Sequence, residues 1–432
     1  MNSMSIHSAL VLKKINYLFK FVIFFLLISC AYHLFFNYFN FPNIPQSFLF
    51  DSSDRFNDWH NSITSSRASN PYFSDSPALA TYFPFSYLLF SIGIPFGRSI
   101  NTIIYIGITF LLLFFSIYIF ISNKNFVFYK NKYLFSFVIF IIFLLSYPTI
   151  FAIDRGNIDI WIASFCIVYV ALLDTPYKYV GFISLSVAIM IKGYPLIFLI
   201  LGLKRKEYRL VALTLSASIL LTIVLMNFYW GGFTLTFNGL SKNMSGYYSN
   251  YVLGLNSLFG SSDIFSGIKS FLLMYKQYFL SHNILVSYYN NIISGNGFIL
   301  NIYLACNIFV LCLSCFFILF LPLREWKRFL LVCLVAITFP NIANDYKLCL
   351  LYPGVLMLIF SGDSSRTACI ALILCSLLMI PKSFIMISGY SISNLINPIL
   401  LFSLFIVIFL DFKAWKFFIF NWLRIKPHAN LY

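Results

Sequence analysis

Stretches of apolar residues long enough to cross ~30 Å of hydrocarbon recur from one end of this chain to the other. They begin near residues 15, 100, 133, 158, 179, 210, 298, 329, 346, 367 and 394. The 432 residues are 60% hydrophobic and only 10% charged, whereas soluble domains carry about 25% charged residues. Too little polar surface remains to coat a water-soluble body. The expectation is an all-α polytopic membrane protein of about 11–12 transmembrane or re-entrant helices, because a helix satisfies its own backbone in lipid. Residues 1–412 read as a single transmembrane domain carrying outer loops at 40–78 and 230–297. Residues 413–432 read as a basic cytoplasmic tail.

The net charge of +16 does not point to nucleic acid. The basic residues sit in short clusters between apolar runs, as topology signals do, and not on one binding face. The nine cysteines form no framework: Cys306, Cys312 and Cys315 lie in an apolar run without His or acidic neighbours. Leu27-Ile28-Ser29-Cys30 imitates a lipoprotein cleavage box, but the apolar stretch from Ile15 to about Phe39 is too long for a signal-peptide core. A retained first helix is expected.

The basic clusters orient the chain. They are Lys13-Lys14; Lys124, Lys130 and Lys132; Lys204 to Arg209; Arg324 to Arg328; and Lys413 to Lys426. The positive-inside rule wants all five on the cytoplasmic side, with both termini there. Two stretches resist simple alternation. Residues 79–97, which contain Pro84 and Pro95, are expected to form a short interfacial or re-entrant element. Residues 179–203 are expected to break at Lys192-Gly193-Tyr194-Pro195, turn at the outer face and descend as a short second piece. Irregular backbone at that depth is tolerated only where it is buried in protein or lines a cavity.

An ionisable group at the centre of a membrane helix costs about 3 kcal/mol, so each one needs a reason. The loop 40–78 holds Asp51, Asp54, Asp58 and Asp75, four of the chain's thirteen acidic residues. If the stretch is helical, Asp54 and Asp58 share a face one turn apart, and either carboxylate could act as general base toward a sugar hydroxyl. A solvated loop with Asp caps would show the same spacing. Asp154-Arg155-Gly156-Asn157, with Asp159, falls between two apolar runs. Arg155 could hold a phosphate by a bidentate fork, or simply pair with Asp154 at a hairpin end. Lys192 could present its ammonium to an anion, or snorkel to the interface. Asp345 and Lys347 could contact substrate, although a helix-end ion pair is the favoured reading.

In this order the features resemble the GT-C superfamily of membrane glycosyltransferases, and most closely glycosyltransferase family 87. The resemblance covers roughly residues 15–360. It is carried by Asp54 to Asp58, Asn70-Pro71-Tyr72, Tyr82-Phe83-Pro84, Arg155-Gly156-Asn157-Ile158-Asp159, Ile191-Lys192-Gly193-Tyr194-Pro195, Leu255-Asn256-Ser257-Leu258 and Asp345-Tyr346 with Pro353. Several elements depart from the family pattern: Asn157 stands where the family has Gln, Gly193 where it has Pro, and the late His is missing.

The resemblance implies helices around an outward-facing cavity and inverting transfer from a polyprenyl-phosphate sugar donor to a glycan or glycolipid acceptor. It implies Asp58 or Asp54 as the catalytic base, with Lys192 and Arg155 neutralising the departing phosphate. It implies Asn157, Tyr72, Tyr194, Asp345 and Lys347 as further substrate-binding positions. No cofactor is demanded; a divalent cation is optional, and no metal-ligand spacing is present. The expected setting is the bacterial cytoplasmic membrane, in surface-polysaccharide assembly. Two competing readings are a polysaccharide polymerase acting on lipid-linked oligosaccharides and a flippase of lipid-linked sugars. Against the first, residues 230–297 hold no Arg, only Lys242, Lys269 and Lys276. Against the second, no internal repeat is evident.

Overall fold

The computed structural model describes residues 3–38, 55–76, 78–123, 132–247, 297–340, 344–382, 385–387, 390–411 and 414–416. Asp54, the Leu255–Leu258 element and most of the basic tail lie outside the described residues. The described chain is all-α apart from a two-residue hairpin, Met386–Ile387 with Tyr390–Ser391.

Among the described residues, three helices are long and apolar enough to span a bilayer unaided. They lie within α1 (Ser3–Tyr38), α4 (Arg98–Asn123) and α10 (Tyr208–Phe228). Their outward side chains, such as Leu27, Ile103 and Leu213, are exposed. A lipid-facing surface requires this, because no water is present there to penalise it.

The apolar run 133–153, expected as one crossing, is two helices. α5 (Lys132–Leu144) and α6 (Tyr147–Arg155) meet at a 68° bend. Ser146 is extended at the joint, and Pro148 in the first turn of α6 has no N–H to continue the ladder. Residues 79–97 contain α3 (Pro84–Ser91), whose eight residues are too short to cross.

The core is built from α7 (Asp159–Leu172), α8 (Lys178–Ile191), α13 (Glu325–Thr338) and the stretch Asp345–Phe360. The last opens as a 3-10 turn (Asp345–Leu351) and continues as α14 (Tyr352–Phe360). Every residue of 345–360 is buried, as is α13 from Trp326 onward. α7 packs between α4 and α8, and α13 packs against α14. The other described helices are α2 (Asn57–Ser66), α9 (Leu199–Lys204), α11 (Gly232–Tyr247), α12 (Gly297–Phe320), α15 (Arg366–Met379) and α16 (Ser393–Phe409).

The break after α8 falls where the Gly-Pro pair puts it. Lys192 is extended, and a 3-10 turn (Tyr194–Phe198) leads into α9. Gly202 lies so close to the Phe182 ring and to Val211 that a Cβ would come within 2.9 Å of both. The second piece therefore runs back toward the start of α8, and a side chain at position 202 would push both neighbours aside.

This threading gives the bundle two charged ends. One gathers cations in ion pairs: Arg205 with Asp174 and Glu325 (both 2.7 Å), Lys327 with Asp411 (2.7 Å), and Arg324 with Asp363. Lys14 of α1 reaches the same end, donating to the Leu358 carbonyl at 2.8 Å. The other end is formed by α2, the α6–α7 junction, the end of α8 and the start of the 345–360 stretch.

Candidate active site

At that second end the chain encloses a cavity of about 470 Å³, within the range of ligand-binding clefts. Asp58 enters it from α2, and the docking of that helix is closely determined. Phe56 takes a left-handed conformation (φ 55°), and its N–H donates to the Asp154 carbonyl at 2.6 Å. Gly156, also left-handed (φ 69°), lies against Phe56 and the Trp59 Cβ, where any side chain would collide. Trp59 is buried among Phe90, Tyr105 and Trp161, with ring centroids 5.2–5.6 Å away. One apolar anchor thus sets the angle at which the next residue back, Asp58, meets the cavity.

Asp58 is held at both oxygens. The Arg155 guanidinium lies 3.2 Å from Oδ1, and the Asn157 amide donates to Oδ2 at 2.8 Å. Its side chain keeps 23% exposure toward the cavity. Burial against the apolar walls pushes its carboxyl up to about 6, opposed by the Asn157 hydrogen bond and the Lys192 charge and assisted by Asp159.

A second carboxylate, Asp159, sits in the first turn of α7 and is fully buried. Lys192 approaches its Oδ1 at 2.5 Å, and the Tyr194 hydroxyl donates to the same oxygen at 3.0 Å. Among the described residues its other oxygen accepts no hydrogen bond. The Lys192 ammonium also lies 4.6 Å from the Tyr82 ring centroid and 5.9 Å from that of Tyr346. Lys347 lies 4.8 Å above the Tyr194 ring. Two cations lodged among aromatic faces in a partly dry cleft suit an anionic ligand that also has apolar or pyranose surface.

Of the residues singled out in the sequence, Asp58, Asn157, Lys192, Tyr194 and Lys347 all line this cavity. Arg155 stands behind the wall, engaged with Asp58. Asp154 meets Arg55 at 4.0 Å.

Tyr72 and Asp345 are not on the wall. Tyr72 is buried, and its hydroxyl donates to the Tyr82 carbonyl at 2.8 Å, so it shapes the segment that carries Tyr82. Asp345 is buried behind the wall and accepts from Asn397 at 2.7 Å.

Asp159 appeared in the sequence only as a neighbour of the Arg155 cluster, without a role. Its partnership with Lys192, 33 positions away, is visible only in the fold. The wall residues Tyr87, Met244 and Tyr247 were not singled out at all. The last two come from α11, which is fastened to the 70–80 loop by Asn243, donating to the carbonyls of Tyr72 and Ala80, both at 3.1 Å. Among the described residues no three His, Cys, Asp or Glu side chains converge as a metal site.

The sequence model of glycosyltransferase family 87 matches residues 80–340. The chain belongs to glycosyltransferase family 87. No curated protein and no solved structure matches it. The matched family 87 stretch contains Tyr82, Arg155, Asn157, Asp159, Lys192 and Tyr194, and it ends at the wall residue Pro340. Asp58 and Lys347 lie outside it and reach the same cavity through the fold. The protein is therefore a membrane glycosyltransferase, and a cleft at this end brings two carboxylates, Asp58 and Asp159, together with two lysines, Lys192 and Lys347.

Proposed function

We propose that the protein moves a sugar from a polyprenyl-phosphate donor to the hydroxyl of a glycan or glycolipid acceptor by a single inverting displacement. Asp58 takes the proton of the acceptor hydroxyl as its oxygen attacks the anomeric carbon. The bond from that carbon to the phosphate oxygen breaks, and polyprenyl phosphate leaves with the electron pair. Lys192, with Lys347 on the wall of the same cavity, stabilises the charge gathering on the phosphate. Preorganised charge in a water-poor cleft is commonly the largest catalytic contribution. Arg155 acts on the base rather than on the phosphate, since its guanidinium is already on Asp58.

The observation that carries this reading is the presence of Asp58 and Lys192 on the wall of one cavity of about 470 Å³. Each has a second group fixing its direction, Asn157 for Asp58 and Asp159 for Lys192. The crowding of cations at the opposite end of the bundle supports an orientation in which that end faces the cytoplasm. The cavity then opens on the outer face, where surface glycans and glycolipids are assembled. A bacterial cytoplasmic membrane with both termini inside fits the same charge asymmetry.

The test is transfer from a labelled panel of polyprenyl-phosphate hexoses by purified wild type beside Asp58→Asn, Asp54→Asn and Lys192→Ala. Wild-type transfer that Asp58→Asn and Lys192→Ala abolish, with folding retained, supports the mechanism. Undiminished transfer by Asp58→Asn would remove Asp58 from it. Chain growth from lipid-linked oligosaccharides, with no transfer from any monosaccharide donor, would replace the reading by a polymerase.

A further inference from the structure

Asn157 lines the cavity, yet its side chain is committed on the protein's side. The residue is 1% exposed. Its amide oxygen accepts from the Asp159 N–H at 3.0 Å, one of the first-turn donors that a helix leaves without an internal partner. A backbone N–H can only donate, so this contact settles which end of the amide is oxygen. The nitrogen is thereby directed at Asp58, 2.8 Å from Oδ2, with the Tyr82 hydroxyl 3.4 Å away. The backbone of Asn157 is clamped as well. Its N–H donates to the Ala152 carbonyl at 2.8 Å, and the Tyr105 hydroxyl bridges the carbonyls of Ala152 and Asn157 at 3.0 and 2.9 Å. An amide fastened in this way cannot turn over to suit a substrate.

We infer that Asn157 is a positioning residue: the start of α7 fixes the polarity of its amide, which holds Asp58 ionised with one oxygen edge left for the acceptor hydroxyl. The inference rests on the reading of Asp58 as the base and adds what keeps that base usable. With Arg155 on one oxygen and Asn157 on the other, each oxygen keeps acceptor capacity, and the side chain stays 23% exposed on the cavity wall. The groups around Asp58 are Arg155 from α6, Asp159 from α7, Lys192 at the end of α8, Tyr82 before α3 and Tyr346 from the 3-10 turn. Its own helix adds His60, and Asn57, which accepts from Arg98 of α4 at 3.3 Å. Burial and Asp159 favour the neutral acid, and Lys192 and Asn157 oppose them. Asn157 alone among these is a neutral donor of fixed direction on Oδ2, so its removal should tip the balance toward protonation.

The test reads proton affinity without turnover. A hydrophobic carbodiimide labels protonated carboxyl groups in apolar surroundings, and mass spectrometry of the purified full-length protein reports the label on Asp58 against pH. In wild type the label should fall away as pH rises through about 6. Asn157→Asp keeps an oxygen for the Asp159 N–H but turns the donor facing Asp58 into an acceptor. The labelling midpoint should then rise by about one pH unit or more, a tenfold change in proton affinity. Asn157→Ala should move it in the same direction by less, and this variant decides the question if Asn157→Asp does not fold. The acid limb of transfer from a polyprenyl-phosphate hexose should move with the label. Unchanged midpoints in the folded variants, or no pH-dependent label on wild-type Asp58, would overturn the inference. Full transfer by Asp58→Asn would instead remove the base assignment, with the labelling midpoints still deciding what Asn157 does to Asp58.

Discussion

The two charged ends of the bundle use the same side-chain types for different ends. At the cationic end, Arg205 spans Asp174 and Glu325, whose carboxylates are each more than 40% exposed. Water shares the work of these two pairs, so each contributes little to stability, whereas Lys327 and Asp411 are largely buried. What the end as a whole carries is the bias in charge on which the proposed orientation rests. At the cavity end, Asp159 is fully buried under Lys192, and Asp58 faces a cleft walled by tyrosines. Here the protein replaces water as the partner of each charge, and removing one member leaves the other stranded. The first end is where charge is abundant, and the second is where sparse charge is held by a few directed partners, Arg155 and Asn157 on Asp58 and Lys192 and Tyr194 on Asp159.

The largest effects should come from the cavity end. Asp58→Asn is nearly isosteric and keeps an acceptor for Asn157, but it cannot take a proton. Transfer should fall by about 10²–10⁴-fold, while thermal unfolding in detergent changes little. Lys192→Met should act on both rate and stability. It strips Asp159 of its counter-charge, a loss on the order of 3–5 kcal/mol for a buried pair, and it removes the cation proposed for the phosphate. Adding Asp159→Asn to Lys192→Met should restore most of the stability, read as the unfolding midpoint, without restoring transfer. A double variant that regained both would show that Lys192 serves the fold alone.

The cavity end was also the less legible in sequence, for reasons particular residues make plain. The break at Lys192 could be read because Gly193 and Pro195 mark it locally and the basic cluster at 204–209 demands a reversal. The shortness of α3 followed from Pro84 and Pro95 in the same way. The 68° bend between α5 and α6 escapes hydropathy because Pro148 lies within a predominantly apolar run, and the window averages across it. The sequence favours a helix-end ion pair of Asp345 with Lys347 over contact with substrate. In a 3-10 turn, with about three residues per turn, positions two apart point to different sides. Asp345 accordingly turns toward Asn397, and Lys347 toward the cleft. The contacts of Asp58 with Arg155 and Asn157 span 97 and 99 positions, and no local pattern encodes them.

Acidity should separate rate from stability at the cavity end. As the proposed base Asp58 must be ionised, so transfer should decline as pH falls through about 6. Stability runs the other way. Its folded-state value lies above the ordinary 3.8, so its contribution to stability is complete below 3.8 and is lost as pH rises through about 6. Between those limits the unfolding midpoint should fall as transfer rises, and Asp58→Asn should flatten its share of the stability trend. Parallel profiles of rate and stability would mean that the acid limb reports general unfolding.

The smallest effect should come from the cationic end. Arg205→Gln breaks contacts to Asp174 and Glu325, but Arg328 remains 2.5 Å from Glu325, and both carboxylates reach water. Stability should drop by about 1 kcal/mol or less, shrinking further as salt screens the pairs that remain. Transfer by the correctly inserted protein should stay at the wild-type level. The informative readout is insertion, scored by accessibility of a tag after residue 432 from each side of the membrane. A few inverted molecules, with normal transfer from the rest, would confirm that this end orients the protein and takes no part in its chemistry. A loss of transfer with every molecule correctly inserted would show that the two ends are coupled through α7 and α8, and the division of labour between them would have to be abandoned.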